Sequence, residues 1–464
     1  MKEKAALLSG PLLFGLCLLL WPGPQGQMVA CLLWMLAWWI TQALPIGATA
    51  LLPVILFPLL GILDLRATVA NYANPVIYLF LGGFILGLAL EKWNLHRRIA
   101  LNILKLSGEQ PRRIILGAML ATFLLSMWIS NTATTVMMLP IGMSLFQLLK
   151  KQGASAGFGL NLMLGIAYAA NIGGMATLIG TPPNLVLAGI SRDRGLPSPQ
   201  FADWLLFALP LALFLFLMVY LLLTAVFHPL SREGIKGVKA QILEQLKALG
   251  KMGRAERRTL TVMTATATLW IFRAQLNQIA FLSALSDTAI AISAALALFA
   301  LPSGSDKAPR LLEWRDTERL PWGILLLFGG GFALAKGMEV TQIVQSAGAL
   351  LANLEYPAPW VPVVAVCALA VFLTEVMSNV ALVTVFIPVA ITLAPQLGLP
   401  PMALAVPLTL GASCAFMFPI STPPNAIVFS SGYFSMRQMA RVGFWLNLVC
   451  VLLISFYSYL FWPV

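Results

Sequence analysis

The fold is decided by residues 114–149, IILGAMLATFLLSMWISNTATTVMMLPIGMSLFQLL, an apolar run interrupted by Ser130-Asn131-Thr132. Arg112-Arg113 precede the run and Lys150-Lys151 follow it. Its length of about 36 residues exceeds one membrane span of roughly 20 and falls short of two. We therefore predict a re-entrant hairpin with a polar tip. Non-helical backbone at membrane depth is tolerated only inside protein or against a water-filled cavity, so the tip is a candidate binding site. Taken alone, it could equally be a polar patch between packed helices.

Three pairs of segments recur in the same order along the chain. Ser378-Asn379-Val380 stands 248 residues after the first motif, inside a second apolar run, 361–397, which we predict to be a second re-entrant hairpin. The other pairs are Phe80–Phe84 with Phe328–Phe332, and Gly180–Asn184 with Ser421–Asn425. Duplicated halves with helices broken by Gly and Pro are typical of secondary transporters, whose site lies near the bilayer midplane where the halves meet.

The composition indicates an all-α polytopic membrane protein. Of 464 residues, 59% are hydrophobic and 10% are charged, with a mean hydropathy of +0.88. The five cysteines lie in apolar runs without motif spacing, so we expect no disulfide. A net charge of +12 would also suit a nucleic-acid partner. The positive residues fall in short loops between spans, however, so membrane topology explains them and we predict no nucleic-acid binding.

The predicted architecture has about 11 transmembrane helices and the two re-entrant hairpins, arranged as two inverted-topology repeats. With the N-terminus in the cytoplasm, 24 Lys and Arg residues lie in inside segments and 3 in outside segments. This asymmetry predicts a cytoplasmic N-terminus and a periplasmic or extracellular C-terminus. The predicted parts are an N-terminal helix (1–27), a first repeat (28–228) with hairpin 114–149, a cytoplasmic basic loop (229–258) and a second repeat (259–464) with hairpin 361–397.

The motif set resembles a known family. The paired Ser-Asn-Thr signatures, the Thr-Pro-Pro-Asn breaks and the segment Glu91–His96 are similar to those of the divalent anion/sodium symporters of the bacterial INDY type, over nearly the whole chain. The resemblance implies a homodimer in the bacterial inner membrane, with a scaffold domain and a moving transport domain in each protomer. It also implies elevator-type alternating access and uptake of C4-dicarboxylates such as succinate, or of citrate or sulfate, with two or more Na+ ions.

The resemblance also implies a set of site residues. The first Na+ site would use Ser126, Ser130, Asn131 and the carbonyl of Gly180, and the second Thr374, the carbonyl of Met377, Asn379 and Ser421. The substrate carboxylates would contact Asn131, Thr132, Thr181, Pro182, Ser378, Asn379, Val380, Thr422 and Pro423. Val380 departs from the family pattern, because a Thr would offer a hydroxyl there. One lost hydrogen bond costs about 0.5–1.5 kcal/mol, so the departure leaves the identity of the substrate open.

The chemistry of these stretches fits an anion bound together with cations. They contain no Lys, Arg or His but are rich in hydroxyl, amide and carbonyl oxygens, which suit a hard cation. The N-termini of broken helices add about half a positive charge each. The remaining positive charge would arrive as Na+. At about 5 Å and an effective dielectric constant near 20, one cation contributes roughly 3 kcal/mol to holding a carboxylate.

The sequence also allows several alternatives to this hypothesis. Glu375 could couple transport to protons, or could be a structural carboxylate bonded to hairpin backbone or paired with a base such as Lys336; the structural role is favoured. An exchanger of the same family would swap dicarboxylates without net Na+ flux. A pure ion antiporter would carry an Asp at the helix crossing, and an intramembrane enzyme would need paired His, Asp or Ser/Lys groups. We find neither pattern and predict no catalytic residue.

Overall fold

Helices make up most of the protein. The structure, a computed structural model, describes residues 2–151, 156–227, 229–230, 237–343, 346 and 358–462. Within these ranges, six helices are long and apolar enough to cross a membrane. They are Leu65–Lys92, Gly157–Met175, Phe201–Phe227, Trp322–Val340, Asn379–Gln396 and Met436–Phe461. This finding supports the prediction of a multi-pass membrane protein.

The first half runs from α1 to α12. Proline occupies the first turn of several of these helices, where its missing N–H costs nothing because that donor has no partner within the helix. The bounds are α1 Lys2–Leu20, α2 Pro24–Thr41, α3 Ile46–Thr49, α4 Leu52–Leu60, α5 Leu65–Ala70, a 3-10 turn Asn71–Ala73, α6 Pro75–Lys92, α7 Leu95–Leu106, α8 Pro111–Ser126, α9 Asn131–Lys151, α10 Ala156–Met175, α11 Pro182–Asp193 and α12 Phe201–Leu221, which continues as a π-helix, Leu222–Phe227.

The second half runs from α13 to α22. Its bounds are α13 Val238–Ala248, α14 Arg254–Ile271, α15 Arg273–Leu276, a 3-10 turn Ala280–Leu282, α16 Asp287–Ala300, β1 Pro302–Ser305, β2 Ala308–Arg310, a 3-10 turn Trp314–Arg319, α17 Trp322–Val340, α18 Trp360–Leu373, α19 Asn379–Gln396, α20 Met402–Gly411, α21 Pro423–Phe429 and α22 Met436–Phe461.

Two local features differ from the sequence prediction. β1 and β2 pair antiparallel, so the all-α prediction is wrong for this short hairpin. Its Pro residues and Gly304, with φ +67°, oppose helix formation. The segment predicted as a basic loop, 229–258, contains α13, whose Val238 and Ile242 are buried; residues 231–236 of that loop lie outside the described residues. An amphipathic helix therefore forms where charge alone suggested a loop.

The glycine motifs bring the two halves of the chain together. Gly82 of α6 lies against α16, where a Cβ at position 82 would come within 2.6 Å of the Ala291 side chain. In the mirrored position, a Cβ on Gly330 of α17 would come within 2.9 Å of Ala50, which follows α3. Small residues allow such close contact of helix backbones. The helix carrying each motif thus packs on a helix of the other half.

The Glu91–His96 segment ends α6 and ties it to the loop before α17. The Trp93 indole donates to the Leu311 carbonyl oxygen at 2.8 Å, and Lys92 Nζ lies 2.6 Å from an Asp316 carboxylate oxygen. Burial raises the pKa of the Asp316 carboxyl, but hydrogen bonds from the Glu313 N–H and Lys92, together with nearby positive charge, outweigh burial. The net effect is a pKa below the usual value, which keeps the carboxylate ionised for Lys92.

Candidate functional site

The helices are interrupted at both polar motifs. α8 ends at Ser126 and α9 begins at Asn131, while α18 ends at Leu373 and α19 begins at Asn379. In each case the motif Ser precedes the first helical residue, so the motif Asn opens the new helix. We call residues 127–130 the first tip and residues 374–378 the second tip. The N–H groups that open α9 and α19 have no partners within their helices. Apart from the Ala133 N–H, which donates to Ser130 Oγ, they are available to an anion.

Each tip is closed by the same hydroxyl–amide pair. Ser126 Oγ lies 2.5 Å from Asn131 Oδ1 and 2.8 Å from the carbonyl oxygen of Ala170. At the mirrored position, Thr374 Oγ1 lies 2.7 Å from Asn379 Oδ1 and 2.8 Å from the carbonyl oxygen of Ala412. All four hydroxyl and amide side chains were predicted as Na+ ligands, and the structure brings each predicted pair together.

Two further helices break beside the tips. The first break is residues 176–181, between α10 and α11, and the second break is residues 412–422, between α20 and α21. In the Thr-Pro-Pro-Asn motifs, Asn184 Nδ2 donates to the carbonyl oxygen of Thr177 at 2.8 Å, and Asn425 Nδ2 donates to those of Ala415 and Phe418 at 3.0 and 3.1 Å. These amides replace part of the hydrogen bonding that a regular helix would supply.

The first tip and the first break meet at two glycines. A Cβ on Gly174 would lie 2.6 Å from Asn131 Oδ1, and a Cβ on Gly180 would lie 2.5 Å from the Gly174 carbonyl oxygen. Asn131, Gly180 and, through its hydrogen bond, Ser126 are therefore in one place. Ser130 Oγ accepts from the N–H of Ala133 at 3.2 Å, which caps α9. The four residues predicted for the first Na+ site lie together.

The second tip and the second break meet at Glu375. Ser421 Oγ lies 3.0 Å from the Glu375 carbonyl oxygen and 2.5 Å from its Oε2. Thr374 precedes Glu375, and Met377 follows two residues later in the same turn, half-buried. Ser421 and Thr374 are therefore linked through the residue between them, and Asn379 joins the group through its bond to Thr374.

The Glu375 carboxylate is 2% exposed and accepts five hydrogen bonds. The donors are the N–H groups of Phe416, Met417 and Phe418, the Ser421 hydroxyl and the Asn447 amide, at 2.5–3.3 Å. The alternative partner, Lys336, instead lies 3.3 Å from Glu339. Glu375 therefore bonds to the backbone of the second break rather than to that of the hairpin, and the predicted pairing with Lys336 is wrong.

Side chains of α10 reach across to the second break. The Tyr168 hydroxyl donates to the Phe416 carbonyl oxygen at 2.8 Å, and Asn171 Nδ2 lies 3.3 Å from the Ala415 carbonyl oxygen and 3.4 Å from Thr422 Oγ1. Sequence reasoning missed these two residues and Asn447. Their signal was a polar side chain within a mainly apolar helix, which indicates a partner without identifying it.

The predicted substrate contacts differ in exposure. Thr132 and Pro423 are exposed, and Pro182 and Ser378 are half-buried. Thr181 and Thr422 are buried at the N-termini of α11 and α21, respectively. Val380 is 8% exposed, whereas its counterpart Thr132 is open. Position 380, like Thr181 and Thr422, therefore presents little surface to a bound molecule.

The site has polar groups but lacks basic partners. Among the hydrogen bonds and ion pairs of the described residues, none joins a Lys, Arg or His to the tips or breaks. A mainly apolar groove of about 640 Å³ lies elsewhere, between α6, α16 and the β-hairpin, and holds none of the predicted site residues. The tips and breaks can bind a hard cation through their oxygen atoms and an anion through their N–H groups.

A long apolar helical chain with paired broken helices and a polar, non-catalytic centre defines a membrane transporter. Residues 2–464 match the family described as the sodium:sulfate symporter transmembrane region. The chain belongs to this divalent anion/sodium symporter family, which confirms the resemblance seen in its motifs. Its relatives are transporters, so the prediction that the chain is not an enzyme is also confirmed.

The chain is similar over its full length to curated relatives. It is 39% identical over 475 residues to the sodium-dependent dicarboxylate transporter SdcS of Staphylococcus saprophyticus, covering 99% of this chain and 92% of that protein. It is 39% identical over 476 residues to SdcS of Staphylococcus aureus, covering 100% of this chain and 92% of the relative.

Solved structures share the fold at low identity. The Alcanivorax borkumensis YdaH transporter has a TM-score of 0.60 at 17% identity, covering 85% of this chain and 88% of that chain. Neisseria gonorrhoeae MtrF has a TM-score of 0.56 at 16% identity, covering 86% and 83%. At this level of identity the likeness concerns the fold alone.

Proposed function

We propose that the protein imports C4-dicarboxylates such as succinate together with Na+. The observation that carries this proposal is the pair of mirrored hydroxyl–amide contacts, Ser126 with Asn131 and Thr374 with Asn379. Each lies beside a broken helix, and among the described residues no basic side chain has a hydrogen bond to either. The SdcS relatives, named as sodium-dependent dicarboxylate transporters, support both halves of the proposal. Two or more Na+ ions would accompany each dianion, because the pocket must otherwise hold two negative charges with neutral groups.

The residues divide between cation and anion. In this proposal, Ser126, Ser130, Asn131 and the Gly180 carbonyl hold one Na+, and Thr374, the Met377 carbonyl, Asn379 and Ser421 hold the other. The carboxylates lie between them, near Asn131, Thr132, Ser378 and Asn379 and the helix starts at Thr181-Pro182 and Thr422-Pro423. Each Na+ at about 5 Å contributes roughly 3 kcal/mol to binding a carboxylate at an effective dielectric constant of about 20. By linkage, substrate tightens Na+ binding by the same factor.

The proposed topology has eleven crossings and two re-entrant hairpins. The crossings are α1, α2, α3 with α4, α6, α10 with α11, α12, α14, α16, α17, α20 with α21, and α22. The hairpins are α8 with α9 and α18 with α19. The distribution of Lys and Arg supports a cytoplasmic N-terminus and an external C-terminus. The repeats would then be inverted, with parts bounded at 1–27, 28–228, 229–258 and 259–464.

We further propose a homodimer that works by an elevator mechanism in a bacterial inner membrane. The tips and breaks are bonded to one another through α10, which supports their moving as one body. α6 and α17 carry the glycine motifs that join the halves, which supports a fixed scaffold around that body. Alternating access would then expose one site to each side in turn.

Uptake into proteoliposomes tests the proposal. The purified protein is reconstituted, and labelled succinate uptake is measured with an inward Na+ gradient or with choline in its place. We expect uptake to require Na+ and to be competed by malate and fumarate. Uptake that is unchanged in choline and needs no internal substrate would contradict the proposal. Uptake in choline that depends on internal dicarboxylate would identify an exchanger instead, and stronger competition by citrate or sulfate would reassign the substrate.

A further inference from the structure

The two proposed Na+ sites are alike in their hydroxyl–amide pairs but differ in charge. Glu375 stands 248 residues after Met127, at the same place in the duplicated tip. In the first tip, the Met127 carbonyl oxygen accepts from Thr177 Oγ1 at 2.6 Å. In the second tip, the Glu375 carbonyl oxygen accepts from Ser421 Oγ at 3.0 Å. The backbone contact is thus repeated, and the carboxylate is an addition confined to the second tip.

This carboxylate is an acceptor in all of its hydrogen bonds. Three backbone N–H groups, one hydroxyl and one amide donate to it, and it donates to none of them, so these contacts suit its ionised form. It is 2% exposed, and none of the ion pairs among the described residues includes it. A buried charge of this kind needs a countercharge. A cation in the second Na+ site, formed by its neighbours Thr374 and Ser421, would supply it.

The carboxylate also sets the orientation of a proposed ligand. A hydroxyl binds a cation through its oxygen, and its hydrogen must then point elsewhere. At Ser421 both oxygens within donor reach belong to Glu375, its carbonyl oxygen and Oε2. The Ser421 hydrogen is therefore directed to Glu375, and the lone pairs of Oγ are left for a cation. Groups that orient a ligand in this way change metal affinity by about 10- to 100-fold when they are removed.

We propose that Glu375 is a positioning residue of the second Na+ site, acting through Ser421, and that it makes this site the stronger of the two. The first site has Met127 where the second has Glu375, so it lacks the charge, and it has Gly180 where Glu375 orients Ser421 in the second. Na+ then fills the second site first, and the first site sets the Na+ concentration at which substrate binds. This inference deepens the proposed function and rests on it.

The test is the Na+ dependence of succinate uptake in Glu375→Gln, Ser421→Ala and the double variant. We expect Glu375→Gln to raise the half-saturating Na+ concentration at least about tenfold and to lower the Hill coefficient, with the succinate KM at saturating Na+ nearly unchanged. Ser421→Ala should act in the same direction, and the double variant should be no worse than the stronger single variant, because both remove one interaction. Glu339→Gln, which removes a carboxylate paired with Lys336 away from the site, is the matched control and should leave the Na+ dependence as in the wild type.

A thermal-shift readout separates positioning from simple support of the fold. If Glu375 only supports the second break, Glu375→Gln lowers Tm equally with and without Na+. The half-saturating Na+ concentration for uptake then stays at the wild-type value. Either result overturns the inference. If Glu375→Gln does not reach the membrane, Glu375→Asp keeps the charge but withdraws it from Ser421, and a folded Glu375→Asp with wild-type Na+ dependence overturns the inference equally. Wild-type uptake that needs no Na+ would instead contradict the proposed function itself.

Discussion

The first and second breaks come from the same duplicated motif, but they are held differently. The first break is six residues long, and neutral groups hold it: Thr177 on the Met127 carbonyl, Asn184 on nearby carbonyls and the Trp204 indole on the Met175 carbonyl at 3.0 Å. The second break is eleven residues long and is organised around the Glu375 carboxylate. A longer unwound segment leaves more backbone N–H groups without partners, and one carboxylate can accept several of them.

The two breaks show that a duplicated site need not be two equal sites. Tyr168 and Asn171 support the second break from the first half of the chain. The second break therefore depends on both halves of the chain. With this difference, the second site can bind Na+ tightly and stay occupied, while the occupancy of the first site follows the Na+ concentration.

The largest expected effect is common to both halves. Asn131→Ala and Asn379→Ala each remove the amide oxygen that faces the tip hydroxyl, and with it a proposed ligand of both cation and substrate. We expect each variant to abolish succinate uptake in proteoliposomes while eluting as wild type from a sizing column. Uptake near the wild-type rate in either folded variant would show that its half of the site is dispensable.

The next effect should be specific to the second break. Tyr168→Phe combined with Asn171→Ala removes the hydrogen bonds that α10 makes to Phe416, Ala415 and Thr422. At about 0.5–1.5 kcal/mol per lost hydrogen bond, we expect uptake at limiting Na+ to fall at least about tenfold. Tyr220→Phe, which removes a 3.3 Å contact to the Arg112 carbonyl oxygen outside the site, is the control. If the control and the double variant lost equal amounts of uptake, the second break would not depend specifically on its contacts with α10.

For substrate binding, the residue of the first half, Thr132, should matter more than its counterpart in the second half, Val380. Thr132 is exposed and its counterpart Val380 is buried, so Thr132→Val should raise the succinate KM about two- to tenfold, as expected for one lost hydrogen bond. Val380→Thr should change KM by less than about twofold, because a hydroxyl there faces packed side chains and adds no contact to the substrate. Competition with unlabelled succinate measures both values. A marked gain of affinity in Val380→Thr would show that position 380 faces the substrate after all.

The smallest effect should come from the first break. Thr177→Val removes the hydroxyl that donates to the Met127 carbonyl oxygen and keeps the shape of the side chain. One neutral hydrogen bond is worth about 1 kcal/mol, so we expect Tm to fall by only about 1–2 °C in a chain of this length and uptake to change by less than twofold. Differential scanning fluorimetry in detergent measures Tm. A loss of uptake as severe as that of Asn131→Ala would show that this neutral contact is as important as the Asn131 amide.

The positions of the breaks could be predicted from sequence because their causes are local. Ser-Asn at a helix start and tandem Pro in the Thr-Pro-Pro-Asn motifs interrupt a helix wherever they occur, and duplication showed which interruptions belong together. The partners of Glu375 could not be predicted, because three of its donors are backbone N–H groups that any residue at 416–418 would offer. The same holds for Tyr168, whose acceptor is a carbonyl oxygen 248 residues away. The β-hairpin and α13 were missed because each is shorter than the apolar runs from which membrane spans are predicted.

The crossed glycine contacts have a consequence for biogenesis. Gly82 emerges from the ribosome about 200 residues before Ala291, which at roughly 5–20 residues per second is a delay of about 10–40 s. Throughout that interval the surface of α6 at Gly82 faces lipid or an insertase, because its partner helix, α16, has not been made. Neither half of the chain can reach its final packing alone, so the gene duplication that created the repeats also obliges the first repeat to wait in the bilayer for the second.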